Sequence, residues 1–557
     1  MPARRIERIL LLDPPVTRPR DFSHARCRVS VFTPLGLAYI AAVVENAGYK
    51  VRIVDGLLAG IDSGERPYGD GMLRYGLEDD QIAAILRSER PDVVGISCLF
   101  SNKDLDMRLA ARLVKQVLPE ATVVVGGVHP TALGTKLLEE EAAIDYIVLG
   151  EGEKTFLDLI RVLEGKGDVS SLDGIVYREG GLPVLVPKTS FLADLNSLPL
   201  PARHLLDMRA YLGRASAHSG YKQKPFASVV SSRGCPAKCT FCAIELLWGK
   251  TPRFRSSASV LDEIEFLVRQ YGVREIHFED DNLTSDKQRA LEIFDGLVRR
   301  KLGLSWTVPS GLAIYSLDEE LLEAMAASGC YSISLAVESG DQEVLNTLMR
   351  KPSRLERVKP LVDKARSLGM KTKGFFILGF PGETKRSMQR TVEFAKSLDL
   401  DWALFFPATP LIGTKLYETC KAKHYLKDEL VDFSRSFYVG NIETDQFDCD
   451  YVEKVKDEAN IDVNFRCNAN LRKYDADEAI RDFKSVLDFY PHLWFAHLYL
   501  GDAYERKGDM SSAAREWNEA LRLNPSLDEA RQRIDRPHEG VLRPAGPRSL
   551  QRVQGKP

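Results

Sequence analysis

Three cysteines in Arg233-Gly-Cys235-Pro-Ala-Lys-Cys239-Thr-Phe-Cys242 have the type and spacing to do metal chemistry. A C-x3-C-x2-C turn can gather three thiolates around one small inorganic cluster and leave a fourth corner open. With nine cysteines in 557 residues, the pattern would arise by chance in about 0.2 per cent of such chains, so coincidence explains it poorly. Zinc is the rival, and an unligated structural trio is the bland alternative. Structural zinc wants four protein ligands. The next cysteine, Cys330, lies in an apolar strand pattern, and no histidine stands close by in sequence. The remaining cysteines, Cys27, Cys98, Cys330, Cys420, Cys449 and Cys467, have no framework spacing, and most of them read as small buried apolar residues kept as thiols.

The elements that must position this turn are legible around it. Strand patterns at 227–231, 275–278, 305–308, 332–336, 373–378 and 402–406 alternate with helical patterns at 258–271, 287–301, 318–327, 353–368 and 385–398. Six such repeats predict a parallel barrel or an incomplete one, whose chemistry sits at the C-terminal strand ends. Strand one leads into the cysteines. Strand two leads into Glu279-Asp280-Asp281-Asn282, which can receive a ligand ammonium or cap a helix. Strand four ends in Val337-Glu338-Ser339-Gly340, where a carboxylate can accept two ribose hydroxyls or serve as a helix N-terminal acid. Strand five runs through Gly374-Phe-Phe-Ile377-Leu-Gly379-Phe-Pro-Gly382-Glu383-Thr384, where Gly379 would let the chain lie flat against a planar group.

An earlier stretch reads strand, helix, strand from Arg8, with strands at 9–12, 51–54, 93–97, 122–125 and 146–149 and helices at 35–47, 81–88 and 106–117. Continuous Val, Ile and Leu strands between helices predict a doubly wound, buried parallel sheet. Ligands of such sheets sit at the carboxyl strand ends. Three features fall there: Thr33-Pro-Leu-Gly36, Ser97-Cys-Leu99 and Gly126-Gly127-Val-His129. Paired glycines permit close approach to a bulky ligand, or form a tight turn with nothing bound. Between Leu172 and Asp207, proline-bearing extended chain reads as a linker or a small strand excursion.

Composition sets the outer limits. The chain is 44% apolar and 28% charged, ordinary for a globular protein, and its length suggests three or four domains. A net charge of -3 gives no electrostatic ground for nucleic acid as a partner. No apolar run is long enough to span a bilayer, and residues 1–12 lack the apolar region of a signal peptide, so a cytoplasmic location is expected.

The cysteine turn, with Phe241 before its last member, resembles the signature of the radical S-adenosylmethionine (SAM) enzymes. The resemblance implies a 4Fe-4S cluster on Cys235, Cys239 and Cys242 whose open iron binds SAM, cleaved on reduction to a 5'-deoxyadenosyl radical. It places Asp280 and Asp281 where SAM's amino group is held, Glu338 and Ser339 at its ribose, and Gly374, Ile377 and Gly379 beside its adenine, with Phe375 where a glycine is usual. The loop Pro407-Ala-Thr-Pro410-Leu-Ile-Gly413-Thr414 is similar to the barrel-closing loop of the cobalamin-dependent subgroup, with Ile412 in place of a proline. Thr33, Gly36, Ser97, Leu99, Gly126, Gly127 and His129 stand in elements similar to those of cobalamin-binding domains, and Glu151, within Asp145-Tyr-Ile-Val-Leu-Gly-Glu-Gly-Glu153, looks like a further mark of that subgroup. The Asp-x-His-x-x-Gly element whose histidine would ligate cobalt is missing, since the chain reads Asp13-Pro-Pro-Val-Thr-Arg18 and the only nearby imidazoles are His24 and His129. A corrinoid without a histidine on its lower face is implied.

The resemblance covers about residues 6–425. Beyond it a 34-residue self-similarity aligns Ala479 with Ala513, Phe483 with Trp517, Val486 with Ala520 and Pro491 with Pro525, on a tetratricopeptide pattern. Such helices offer a surface to a protein partner or cap the barrel. The expected fold is therefore α/β: a doubly wound, Rossmann-like cobalamin-binding domain at 1–170, a linker at 171–223 and a partial (β/α)6, TIM-like radical SAM barrel at 224–425. A helical connector at 426–464, α-helical TPR-like repeats at 465–533 and a disordered tail at 534–557 complete it. The implied activity is a cobalamin-dependent methyltransferase for an unactivated carbon. A non-methylating radical rearrangement, cyclisation or oxidation, or a non-catalytic sensor or adaptor, are the alternatives. The substrate is left open among small molecule, lipid and peptide, and the chemistry implies an electron-donor protein such as flavodoxin or ferredoxin.

Overall fold

The computed structural model describes residues 4–22, 29–69, 71–214, 220–427 and 439–536. His24, Cys27, most of the expected tail and residues 428–438 of the connector lie outside the described residues. The chain divides into two compact units, residues 1–460 and 461–557.

Among the described residues the first unit carries two large sheets, of seven and six strands, and two small ones, of three and two strands. The seven-stranded sheet contains β1 (Arg8–Asp13), β2 (Lys50–Asp55), β3 (Val93–Ser97), β4 (Thr122–Gly126), β5 (Tyr146–Val148), β6 (Ile175–Glu179) and β7 (Leu182–Val186), in the order β7-β6-β5-β4-β3-β1-β2. The five strands from β5 to β2 run parallel. Alternate residues feed two cores, one on each face. Leu10, Leu12, Val94, Ile96, Val123 and Val125 pack with Leu86, Met107 and Val114, whereas Ile9, Leu11, Val93 and Val124 pack with Leu37, Ala41, Phe156 and Ile160. The chain passes from β1 to β2 on one side and then crosses to β3 on the other, so the carboxyl ends of β1 and β3 are the switch point at which sheets of this kind take ligands. The stretch after Leu172 is more than a connector: β6 and β7 add an antiparallel hairpin to the edge beside β5.

The second sheet holds β8 (Phe226–Val229), β9 (Glu275–Phe278), β10 (Ser305–Leu312), β11 (Cys330–Glu338), β12 (Lys371–Leu378) and β13 (Trp402–Pro407), in that spatial order and all parallel. Helices follow the strands and start on side-chain caps: Ser256, Asp286, Asp318, Thr384 and Thr414 each accept a hydrogen bond from a first-turn amide. Asp286 thus caps the helix after β9, which leaves Glu279 to Asn282 free of that duty. In β12 and β13 buried residues alternate with half-buried ones, so Phe375, Ile377, Leu404 and Phe406 share the less covered face of the sheet.

In the second unit, helices Ala476–Leu487, Trp494–Arg506, Met510–Leu523 and Asp528–Asp535 pack in sequence order. Five of the eight aligned residues form its core, Ala479, Phe483, Ala513, Trp517 and Ala520 being fully buried, whereas Val486 is half-buried and Pro491 and Pro525 are exposed. Gly501 is glycine because a Cβ there would stand 2.4 Å from the Trp517 ring.

Candidate active site

The cysteine loop leaves β8 through a two-residue ribbon, Ser232–Arg233 paired antiparallel with Arg253–Phe254. Nearly every segment of it is held. Gly234, at φ +87°, donates its N–H to Asp281 at 2.8 Å. Thr240 donates its amide to Met349 O at 2.9 Å and its hydroxyl to Leu348 O at 2.8 Å, while its carbonyl accepts from Leu416 N at 2.8 Å. Phe241 packs edge-on against Phe380, in the loop after β12, at 6.3 Å between ring centres.

The three cysteines are free thiols, each partly accessible. Burial pushes the Cys239 thiol up to about 11 and the Cys242 thiol up to about 12, so their deprotonation has to accompany metal binding. Among the described residues no three His, Cys, Asp or Glu side chains are grouped to hold a single metal ion. Three free, partly accessible thiols on one loop are the donor set of a polynuclear iron–sulfur cluster, in which each thiolate meets a different iron.

The acidic residues after β9 divide their work. Asp280 is fully buried and accepts from Ser231 N at 3.1 Å, from the Ser231 hydroxyl at 2.6 Å and from the Ser232 hydroxyl. Burial raises its carboxyl, and it faces the strand rather than a ligand. Asp281, pushed up to about 6 chiefly by burial, grips the amide of Gly234. Both residues brace the cysteine loop from beneath. Glu279 takes the outward position, accepting from the Ser228 hydroxyl at 3.2 Å and the Ser310 hydroxyl at 3.0 Å.

Glu338 ends β11 with φ +69°, a left-handed conformation costly for a residue with a side chain, and the pairing with β12 slips one register beside it. Its carboxylate meets Lys351 Nζ at 3.0 Å, and both are buried. Burial pulls the Lys351 ammonium down, but Glu338 and then Cys239 and Cys242 push it above its ordinary value, which places this cation beside the cysteines. Ser339 is buried against the Thr391 hydroxyl at 3.1 Å and shapes the turn. The two glycines of strand five have packing reasons: a Cβ on Gly374 would stand 2.6 Å from Leu400 Cδ1, and one on Gly379 would stand 2.8 Å from Val452 Cγ2. The space at Gly379 therefore goes to Val452 rather than to a flat ligand. Ile377 lies on the half-covered face.

On the first sheet, Ser97 and Gly126 end adjacent strands, and Cys98 N donates to Gly126 O at 2.8 Å. Gly127, at φ +119°, admits no side chain because a Cβ would stand 2.4 Å from Cys98 O. The close approach is thus to the neighbouring strand's backbone. Leu99 and Phe100, 44% and 46% exposed, lie uncovered beyond it, which suits a broad flat ligand held by area. Thr33 and Gly36 stand at the start of helix Leu35–Asn46, with open space around Gly36. His129 is buried, its two ring nitrogens 3.0 Å from the Ser101 hydroxyl and from Asp104, so it is a structural histidine.

Glu151 is also spoken for. Arg253 Nη1 meets both its oxygens at 2.6 and 2.8 Å, Arg233 Nη1 donates at 2.9 Å, and Leu192 N donates at 2.8 Å. Arg233 also donates to Glu153 at 2.5 Å and lies over the Trp248 ring at 4.6 Å. All four charged groups are buried. Burial works against the Glu153 carboxylate, but Arg233 holds it below its ordinary range. The seam joins the turn after β5 to the ribbon that launches the cysteines. The short helix Ile244–Trp248, next after Cys242, completes the junction: a Cβ on Gly150 would stand 3.2 Å from Leu247 O, and one on Gly413 would stand 2.7 Å from Leu246 Cδ1 and 3.4 Å from Ala132 Cβ. Arg233, Arg253 and Lys351 escape sequence reasoning. Only Arg233 carries a signal, its place two residues before Cys235.

Profiles of known families match in three places: a B12 binding domain over residues 25–160, the radical SAM superfamily over 229–395 and a tetratricopeptide repeat over 494–527. Cytidylyl-2-hydroxyethylphosphonate methyltransferase of Streptomyces wedmorensis is 37% identical over 464 residues, 78% of this chain and 84% of that protein. Anaerobic magnesium-protoporphyrin IX monomethyl ester cyclase of Rubrivivax gelatinosus is 27% identical over 381 residues, 67% of this chain and 64% of that protein. The radical SAM methyltransferase TsrM from Kitasatospora setae, solved with cobalamin and a 4Fe-4S cluster, superposes with a TM-score of 0.59 at 19% identity, covering 79% of this chain and 83% of that one. With this extent of shared sequence, the chain belongs to the cobalamin-dependent radical SAM methyltransferases.

Proposed function

We propose that this enzyme methylates a carbon without an available electron pair, on a small polar molecule that enters the barrel mouth. The observation that carries the reading is the junction at helix Ile244–Trp248, where the segment after the cysteines packs against the segments after β4 and β5. Two ligand shelves are thereby brought to one place within the first unit. When bound, the cluster with SAM supplies a carbon radical and cobalamin supplies the methyl group, the two parts of a substitution at unactivated carbon. Cys235, Cys239 and Cys242 are assigned to the cluster. Glu338 is held by Lys351 at a strained strand end, a position suited to ribose hydroxyls, with Ile377 on the adenine side. Asp280 and Asp281 set the loop's height, and Glu279 is the acidic side chain left to meet an ammonium or a substrate hydroxyl. Ser97, Leu99, Gly126 and Gly127 form the corrinoid shelf.

A small polar acceptor is favoured over lipid or peptide. Glu279, Ser228 and Ser310 form a polar patch, and next to Ser310 a Cβ on Gly311 would stand 3.1 Å from the half-covered Phe375 ring, and the Streptomyces wedmorensis relative is named for a cytidylyl phosphonate. The test is incubation of reconstituted protein with methyl-labelled SAM, cobalamin, a low-potential reductant such as flavodoxin, and a panel of small polar acceptors. The expected result is one labelled methyl group in product together with 5'-deoxyadenosine. Label in no acceptor but a lipid or peptide fraction would overturn the substrate class.

A further inference from the structure

Tyr315 lies on the turn Ile314–Ser316 that follows β10, and its phenol oxygen is 3.5 Å from Cys235 Sγ. The phenol is held from behind. Asn282 Nδ2 donates to the same oxygen at 3.1 Å. The orientation of that amide is set by its other end, since Asn282 Oδ1 lies 3.0 Å from the Ser316 hydroxyl and 3.4 Å from the Thr284 hydroxyl, two donors that pair with each other at 2.8 Å and of which Ser316 also reaches Ala313 O at 2.9 Å. Asn282 is fully buried and Thr284 nearly so, which leaves the amide little room to turn over. With one lone pair taken by the amide, the phenol's single proton points to the sulfur. A ligating thiolate carries no proton, so the phenol has to be the donor.

We propose that Asn282 and Tyr315 form a relay that delivers a hydrogen bond to one cluster thiolate, Cys235, and raises the reduction potential of the cluster. This rests on the reading that Cys235 ligates the cluster. A hydrogen bond to a ligand sulfur stabilises the added negative charge of the reduced state, and such bonds are among the levers that set Fe–S potentials. Tyr315 is a positioning residue, eighty positions from the thiolate it serves. It makes the three ligands unequal, because the phenol serves Cys235 alone.

The test is a redox titration of anaerobically reconstituted full-length protein without SAM, followed by electron paramagnetic resonance of the reduced cluster. In Tyr315→Phe, iron and sulfide content should match the wild type. The ratio of reduced to oxidised cluster at the wild-type midpoint should fall about three- to tenfold, a midpoint about 30 to 59 mV more negative for a one-electron couple. Ser316→Ala, which loosens the amide without touching a cysteine, should shift the ratio in the same direction by less. A fully loaded Tyr315→Phe protein with an unchanged midpoint overturns the relay, and one that loses its iron makes Tyr315 an assembly residue and overturns it too. Wild-type protein that takes up no cluster removes the underlying reading, a result the iron analysis separates from the other two.

Discussion

The cysteine loop and the glycine shelf are built on opposite plans. Around the cysteines, Gly234, Thr240 and Arg233 are each tied by hydrogen bonds to other segments, and two buried glutamates hold the base. At the ends of β3 and β4 small residues sit backbone to backbone, and Leu99 and Phe100 are left uncovered. A ligand held by three directional bonds needs its donors fixed to within fractions of an ångström, so the fold invests polar contacts there. A large flat ligand held by area needs room and apolar surface instead.

The hardest break is at the donors themselves. Replacing Cys235, Cys239 and Cys242 by Ala should abolish iron and sulfide uptake completely while cobalamin binding persists. A triple variant that keeps full cluster absorbance would defeat the assignment. Next is the seam. Arg233→Met leaves Glu153 buried without its partner, which should cost about 3–5 kcal/mol and reduce cluster loading. Adding Glu153→Gln should recover part of the melting temperature; if it recovers none, the charge pair is not what the loop depends on.

Glu383 sharpens the contrast through pH. It braces the loop that carries Phe380 by accepting Phe380 N at 2.8 Å, and burial pushes its carboxyl up to about 7 from an ordinary 4.5. A raised folded value means that the stability contributed by the proton is full below 4.5 and is lost as pH rises through about 7. Glu383→Gln should therefore melt near the wild type at pH 4.5 and above it at pH 8, by about 3 kcal/mol for a shift of this size. Equal melting curves at both pH values would show the carboxyl to be solvated.

On the other shelf, Gly127→Ala forces a side chain into a left-handed position facing Cys98 O, a local strain of about 1–3 kcal/mol. Cobalamin binding should fall at least tenfold with iron content unchanged, and cob(II)alamin spectra should show no nitrogen splitting from a protein imidazole, since His129 is engaged by Ser101 and Asp104. Loss of the cluster in this variant would mean that the two shelves are not independently built.

What the sequence displayed of this site follows from distance along the chain. The cysteine trio is legible because its seven-position spacing is local, and the strands because buried parallel strands are continuous runs of Val, Ile and Leu. Glu338 is legible as a polar residue at a strand end. Its partner Lys351 is not, and neither are Glu151 with Arg233 or Tyr315 with Cys235, which lie 82 and 80 positions apart and meet only through the fold. Gly379 and His129 carry a different lesson: both are of the type a ligand site uses, yet Val452 fills the space at one and Ser101 and Asp104 take up the ring of the other. Residue type marks a strand end as special without saying whether protein or ligand occupies it.

The smallest effect is expected from removing the second unit. Its helices bury Ala479, Phe483, Ala513, Trp517 and Ala520 among themselves, and Trp517 anchors to Asp502 of the same unit at 3.0 Å. Repeat helices draw most of their stability from such neighbours. A chain ending at Asn460 retains helix Cys449–Ile461 up to its last residue, and with it Val452 against Gly379. Reductive formation of 5'-deoxyadenosine by this shortened protein should match the full chain within about twofold, because neither shelf loses a residue. Capture of a protein partner or delivery of substrate is then where the second unit acts. Should the shortened protein lose its solubility or its SAM cleavage, the helices belong to the catalytic core, excluding water from the radical, and the division into two independently built shelves and a separate appendage fails.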